Sequence, residues 1–315
     1  MKTQTTALIL FLLLFVSVGS RADVKLPAIL SDNMVLQQNS RVHIWGKASP
    51  GEKITVSVSW SRKKAKSVAA ADSTWQVEIS TPEASSRAVP LTVKGRNTIE
   101  IKNVLIGAVW PCWGQSNSEF PVDRDTTSRW KNAMSTVKEE LQNADYPEIR
   151  FFRVEHQLAP DAPVDDCVGE WEVCTPASAA RFSAVGFVFG RKIHNAIHQP
   201  VGLIQSTWGG THAESGTKRA AMQVDYYDRR RAEQKQIIAN LPAEKERYAR
   251  ETALYKAALK ANPDTVLKAP ARVKKLNDNL RMSTLWNGMI NPILPYTIKG
   301  VIWYQGESND SRAAH

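Results

Sequence analysis

Between Arg41 and Val104 the chain alternates apolar and polar side chains. Ile54, Val56, Val58 and Trp60 alternate with Thr55, Ser57 and Ser59; Trp75, Val77 and Ile79 with Gln76 and Glu78; Val89, Leu91 and Val93 with Pro90 and Thr92. A period of two sends successive side chains to opposite faces, which predicts half-buried antiparallel strands. Ser49-Pro50-Gly51 and Gly95-Arg96-Asn97 supply turns. The expected unit is a small N-terminal β-sandwich over residues 23–104. It reads as a rigid accessory or binding platform, because nothing titratable recurs in it at a chemically useful spacing.

Beyond Val104 single apolar strands alternate with helical stretches, the pattern of an α/β domain with a mainly parallel sheet, here spanning 105–315. Three strands run into polar loops. Val104–Trp110 leads to Gly114-Gln115-Ser116-Asn117, Val201–Ile204 to Trp208-Gly209-Gly210-Thr211, and Gly300–Tyr304 to Gln305-Gly306-Glu307-Ser308-Asn309. Open α/β sheets bind ligands beyond the carboxyl ends of their strands, so the three loops are expected to meet at one site.

Met1-Lys2, the apolar run Ala7–Val16 and Ser20-Arg21-Ala22 have the three parts of a secretory signal peptide, with cleavage expected after Ala22. The run falls short of a membrane span, so export to a periplasmic, extracellular or lysosomal space is expected, without a stable membrane anchor. With 43% hydrophobic and 23% charged residues the 315-residue chain is an ordinary globular one. Its three cysteines have no C-x-x-C spacing that would suggest a structural metal. Cys167 and Cys174 are near enough in sequence to pair and leave Cys112 over, although spacing alone does not choose among the matches.

The net charge of +10 concentrates in a charged insertion at about 218–281, where sixteen Lys and Arg stand against eight Asp and Glu. The acids are interleaved with the bases and no nucleic-acid motif accompanies them, which favours a solvated helical hairpin and excludes nucleic acid as the expected partner.

Ser116 is the leading nucleophile, set directly after a buried strand; Ser118 and Ser308 are its rivals. A serine hydroxyl needs a base for its proton and donors for the oxyanion. Backbone N–H groups at Gly209 or Gly210 and the side-chain amide of Gln305 are the expected donors. Glu307 either orients a base or a substrate hydroxyl, or caps a turn. The G-x-S-x-G elbow is absent, because position 118 is Ser. His194 and His198 have a spacing that can hold zinc, but no third ligand is evident and packing or surface roles are expected. His212 is the histidine expected nearest the site.

Taken together, Ala28–Leu30 and Asp32–Gln37, Val109-Trp110 with Cys112 and Gly114–Asn117, Val201–Ile204 with Ser206 and Trp208–Thr211, Trp286–Ile290, and Gly300–Asn309 resemble the sialate O-acetylesterase family of SGNH (GDSL-like) esterases. The resemblance covers nearly all of the mature chain. It implies an SGNH-type three-layer domain and a serine esterase, acting without a metal or other cofactor, that removes O-acetyl groups from sialic acids or related acetylated sugars. Ser116 matches the nucleophile. Gly114, Gln115, Asn117, Gly209, Gly210, Gln305, Gly306 and Glu307 fall in the blocks that line the oxyanion and substrate side. An acetyl esterase on plant polysaccharide such as acetylxylan, and a non-catalytic sugar-binding remnant, are the alternatives.

The sequence departs from the family's pattern at Ala108, Trp113, Ser118 and Gly216, where an acid, Ser, Met and Trp are usual; Trp113 raises the question of a tilted nucleophile loop or a narrowed pocket. The resemblance also implies a D-x-x-H block carrying the base, expected C-terminal to the third loop. None of His43, His156, His194, His198, His212 and His315 lies in one, so the base is unassigned and the esterase domain is expected to be incomplete. Asn309-Asp310-Ser311 is a glycosylation pattern read as a chance occurrence. Oligomeric state leaves no mark on the sequence.

Overall fold

A computed structural model describes residues 23–123, 139, 141–262, 266–273 and 276–312; the expected signal peptide and His315 lie outside them. Seven strands come first: β1 (Val35–Gln37), β2 (Arg41–Lys47), β3 (Lys53–Val58), β4 (Ser61–Val68), β5 (Thr74–Ser80), β6 (Ser85–Lys94) and β7 (Thr98–Gly114). Then follow α1 (Ser116–Glu119), β8 (Tyr146–Arg153), β9 (Trp171–Cys174), α2 (Pro176–Arg181), α3 (Ala184–Ile197), β10 (Val201–Thr207), α4 (Asp225–Ala261) and β11 (Ile302–Tyr304).

One mixed sheet runs β4-β3-β6-β7-β10-β8-β9, and β1 and β11 also pair with β7. A second sheet holds β2 and β5, antiparallel. The alternation read from the sequence appears as alternating burial in β3 and β5. Val42, Ile44, Val77 and Ile79 from the small sheet share one apolar cluster with Ile54, Val56, Leu91, Val93 and Ile101 from the large one.

β7 is the spine of the molecule. Its first part pairs antiparallel with β6, and its Ala108–Gly114 part pairs parallel with β10, so the expected division at 104/105 falls inside one continuous strand. β10, buried at every position, lies between β7 and β8 and pairs parallel with both. Phe151 and Leu203 join α3's Phe187 in one cluster, while Phe152 and Ile204 join Leu285, Met289 and Ile293 in the other. Both faces of these strands are thus covered, which is why they read as unbroken apolar runs.

α2 starts on a capping box made by Thr175 and Ser178. α3 starts on Ser183, whose hydroxyl accepts from the Gly186 N–H at 3.1 Å, and ends on His198 in the left-handed conformation. His194 Nδ1 bonds the Gln199 carbonyl at 2.8 Å, so the H-x-x-x-H residues finish a helix. Among the described residues no group of three or more His, Cys, Asp or Glu could hold a metal ion.

The insertion corrects one expectation. Among its described residues it holds one α-helix, α4, of 37 residues rather than a helical hairpin, and residues 266–273 beyond it are irregular, with Pro270 unable to donate to a helical ladder. Gln234, the helix's buried residue, pins it to the body through the Leu280 carbonyl (3.2 Å) and the Met282 N–H (3.1 Å). No helix among the described residues is long and apolar enough to cross a membrane.

Candidate active site

β7, β10 and β11 are parallel neighbours, with Gly114 beside Thr207 on one side and Tyr304 on the other. Their carboxyl ends therefore deliver the three loops to one place. The turn at Gly114 makes this possible. Its φ of +140° lies in the region that favours glycine, and a Cβ there would overlap the Tyr304 carbonyl oxygen. The chain then turns straight into α1, whose first residue is Ser116.

Ser116 is exposed, and its Oγ makes one hydrogen bond among the described residues, to Glu307 Oε2 at 3.4 Å. Asn117 Nδ2 donates to the other oxygen of Glu307 at 3.0 Å. Gln115 is assigned with its amide nitrogen toward Ser308 Oγ (2.6 Å) and the Thr211 carbonyl (2.9 Å), and its oxygen toward the Glu307 N–H (3.0 Å). That orientation gives every group a partner of the right kind. Ser116, Gln115, Asn117, Glu307 and the Thr211 backbone thus form one network drawn from all three loops. Both rival serines are committed elsewhere: Ser118 Oγ donates to the Trp113 carbonyl at 3.0 Å, and Ser308 Oγ accepts from the Gln115 amide N–H at 2.6 Å.

The expected oxyanion donors differ among themselves. Gly209 lies against Ser116, a Cβ there standing 3.4 Å from the serine Cβ, but its N–H donates to Glu119 Oε2 at 2.5 Å. Gln305 spends one amide N–H on the Thr211 carbonyl at 2.8 Å. Gly210 has a φ of +71° with open space around it, and its N–H and that of Ser116 have no partner among the described residues. Gly306 is likewise left-handed, with φ of +153° and open space.

Glu119 brings in a residue that sequence reasoning passed over. Its Oε1 lies 2.7 Å from His156 Nε2, and the imidazole stacks on Trp208 with ring centroids 3.9 Å apart and planes 5° from parallel. Glu119 sits one helical turn after Ser116, and His156 follows β8. Nothing in their spacing joins them, and only the pairing of β8 with β10 brings His156 to the Gly209 loop.

Beside the network lies an apolar cavity of about 330 Å³ lined by Trp113, Trp208, His212, Leu285, Met289 and Trp303 among others. His212 Nδ1 stands 3.8 Å from Glu214 Oε1, so its ring belongs to this cavity rather than to the Ser116 hydroxyl. Gly216 lines the same cavity as Trp113. A ring expected by resemblance at 216 is missing, and a ring not expected at 113 lines the same cavity. The Ser116 turn keeps its bonds, and the indole Nε1 of Trp113 is buried without a partner among the described residues.

The cysteine expectation is corrected: Cys112, Cys167 and Cys174 are all free and buried. Cys167 packs in the cluster with Trp171, whereas Cys174 packs in the other with Ala144 and Phe187. Burial pushes each of the three thiols up to about 12. Asn309 is engaged on both sides, accepting from the Ala213 N–H (2.9 Å) and donating to Glu214 (2.8 Å), which leaves its amide unsuited to carry a glycan.

No family model matches the chain. It is similar to curated sialate O-acetylesterases from Mus musculus, at 29% identity, and Homo sapiens, at 26%, each over 96% of its own length. The matched part covers 55% of the mouse protein and 52% of the human one, so the chain spans about half the length of these relatives. A crystal structure described as a novel carbohydrate acetylesterase from Xanthomonas citri superposes with a TM-score of 0.68 at 27% identity, over 92% of this chain and 53% of that one.

Proposed function

We propose that this chain is an exported carbohydrate esterase that removes O-acetyl groups from sialic acids or related acetylated sugars, with Ser116 as its nucleophile. The similarity to sialate O-acetylesterases and to a carbohydrate acetylesterase structure supports the reaction class. The observation that carries the site is the convergence of Ser116, the Gly209-Gly210 loop and Glu307 at the ends of three neighbouring parallel strands.

In this reading Ser116 Oγ attacks the acetyl carbonyl carbon while its proton passes to a base. The carbonyl oxygen gains the negative charge, which the unpartnered N–H groups of Ser116 and Gly210 stabilise. Collapse expels the sugar oxygen, which takes up a proton and leaves an acetyl-enzyme; water then cleaves that ester and restores the serine. Glu307 is the carboxylate hydrogen-bonded to the attacking hydroxyl, either taking the proton itself or orienting the group that does. Gly209 joins the oxyanion site once Glu119 releases its N–H.

The architecture goes with this reading. Two sheets share one core in the N-terminal part, in keeping with a β-sandwich accessory unit. α3 and the Leu285–Ile293 segment cover opposite faces of the parallel strands, in keeping with an SGNH-type three-layer domain.

A second reading, a sugar-binding remnant without turnover, is favoured by the occupied Gly209 amide and the long 3.4 Å bond at Ser116. O-acetylated sialic acid and acetylated xylan, offered side by side to the purified chain and to Ser116→Ala, separate the readings. Release of acetate from the sialic acid, lost in the variant, is expected. Preference for xylan would move the substrate class to plant polysaccharide, and no release from either would establish the remnant.

A further inference from the structure

Part of the surplus positive charge of the insertion converges on one cleft. Lys218, Arg219, Arg231, Lys235 and Arg281 line one cleft of about 650 Å³ between α4 and the body, and among the described residues Asp161 is the single acid on its walls. Elsewhere on α4 Arg230 is paired with Glu233 (2.7 Å) and Arg247 with Glu244 (2.8 Å) and Glu251 (2.6 Å), each one turn away. In the cleft Arg231 bonds Asp228, and Arg281 lies 3.5 Å from an Asp161 that is 91% exposed. The side chains of Lys218, Arg219 and Lys235 have no partner among the described residues. All three are exposed, and three uncompensated positive charges converging on one cleft raise its potential above that of scattered charges.

The remaining walls suit a saccharide. Trp286 offers a half-buried ring for a pyranose face. Asn287 and Asn291 donate their amide N–H groups to the Ala159 (2.9 Å) and Val164 (3.1 Å) carbonyls, which leaves their side-chain oxygens to accept from hydroxyls. Ser283, also on the wall, holds a left-handed φ of +62°, and its buried hydroxyl has no partner among the described residues. Such conformations cluster at ligand clamps.

Position ties the cleft to the proposed active site. The turn Trp286–Ile290 separates it from the cavity beside Ser116: Leu285, Met289 and Ile290 face the cavity, while Trp286, Asn287 and Asn291 face the cleft. We infer that this cleft is a subsite for an anionic saccharide, taking a sugar carboxylate on Lys218, Arg219 and Lys235 and an adjoining ring on Trp286. The inference stands on the cleft alone and does not require turnover at Ser116.

The test uses the Ser116→Ala chain, so that binding is read without hydrolysis. Its affinity for a sialic acid oligomer, an oligogalacturonate and a neutral xylo-oligomer is measured by calorimetry. At least one acidic sugar is expected to bind about tenfold or more tighter than the neutral one, and to weaken about tenfold as salt rises to roughly 0.5 M. The two acidic arms show which carboxylated sugar fits. Lys218→Glu with Lys235→Glu is expected to lose about tenfold or more of that affinity, and Trp286→Ala a comparable amount, with melting temperatures unchanged. Equal affinity for acidic and neutral oligomers, or no effect of the charge reversal in a folded variant, would overturn the inference. So would polyglutamate binding as tightly as the sugars with no dependence on Trp286. Failure of wild-type turnover would leave this result untouched.

Discussion

The two parts of β7 are one strand in different company. In its antiparallel part, paired with β6, exposed and buried positions mix and the neighbouring strand returns through the tight Gly95–Asn97 turn. In its parallel part, Ala108–Gly114 beside β10, no position is exposed, and the strand ends in an open loop. A tight hairpin return leaves no room for a ligand, whereas parallel neighbours must be joined by long crossovers, and their loops gather at one edge. Chemistry therefore belongs at Gly114 and stability at the other end.

Gly114→Ala is the strongest way to test that contrast. With φ at +140° and the Tyr304 carbonyl where the methyl must go, it is expected to cost about 3 kcal/mol or more of stability and nearly all turnover of an acetyl ester. Leu91→Ala, in the core under the antiparallel part, is expected to cost ~2–5 kcal/mol in urea denaturation while the folded protein keeps its turnover per molecule. If Leu91→Ala abolished turnover of folded protein, the separation of roles along β7 would be wrong.

Glu307→Gln reverses the signature. Exposed and bonded to Ser116, it is expected to lower turnover by roughly 10²–10⁴ if it takes the proton, with little change in melting temperature. Smaller again is a pH effect. A buried thiol with its pKa raised to about 12 stays protonated where the unfolded chain's thiol ionises. Its contribution is therefore fully present below about pH 9 and is lost as pH climbs toward 12. Urea midpoints are expected to fall over that window, less steeply in Cys112→Ala, and reductant is expected to leave the melting temperature unchanged, since no disulfide is present. Smallest is Trp113→Phe, which removes a buried N–H without a partner and is expected to change stability by no more than about 1 kcal/mol.

What could be read from the chain followed local periodicity. Alternation marked β3, β5 and β6, and apolar runs ending in glycine marked β7, β10 and β11 together with the loops that meet at Ser116. The continuity of β7 was hidden because its alternation merges into a fully buried run, so that a change of partner looks like a change of unit. The Glu119–His156–Trp208 stack had no sequence signal, since residues 119 and 156 meet only through sheet pairing. Proximity along the chain suggested a Cys167–Cys174 bond, but packing sends the two thiols to different clusters. The insertion's charge count was legible, whereas the gathering of five cations into one cleft required α4 to be placed against the body.

The claim that Ser116 forms the acetyl-enzyme is tested most directly by trapping. The chain is mixed with an activated acetyl ester, quenched in acid during the first turnover, and its peptides are analysed by mass spectrometry. One acetyl group on Ser116, absent from Ser116→Ala together with turnover, is the expected result. Acetyl on Ser118 or Ser308, or undiminished turnover in Ser116→Ala, would contradict it.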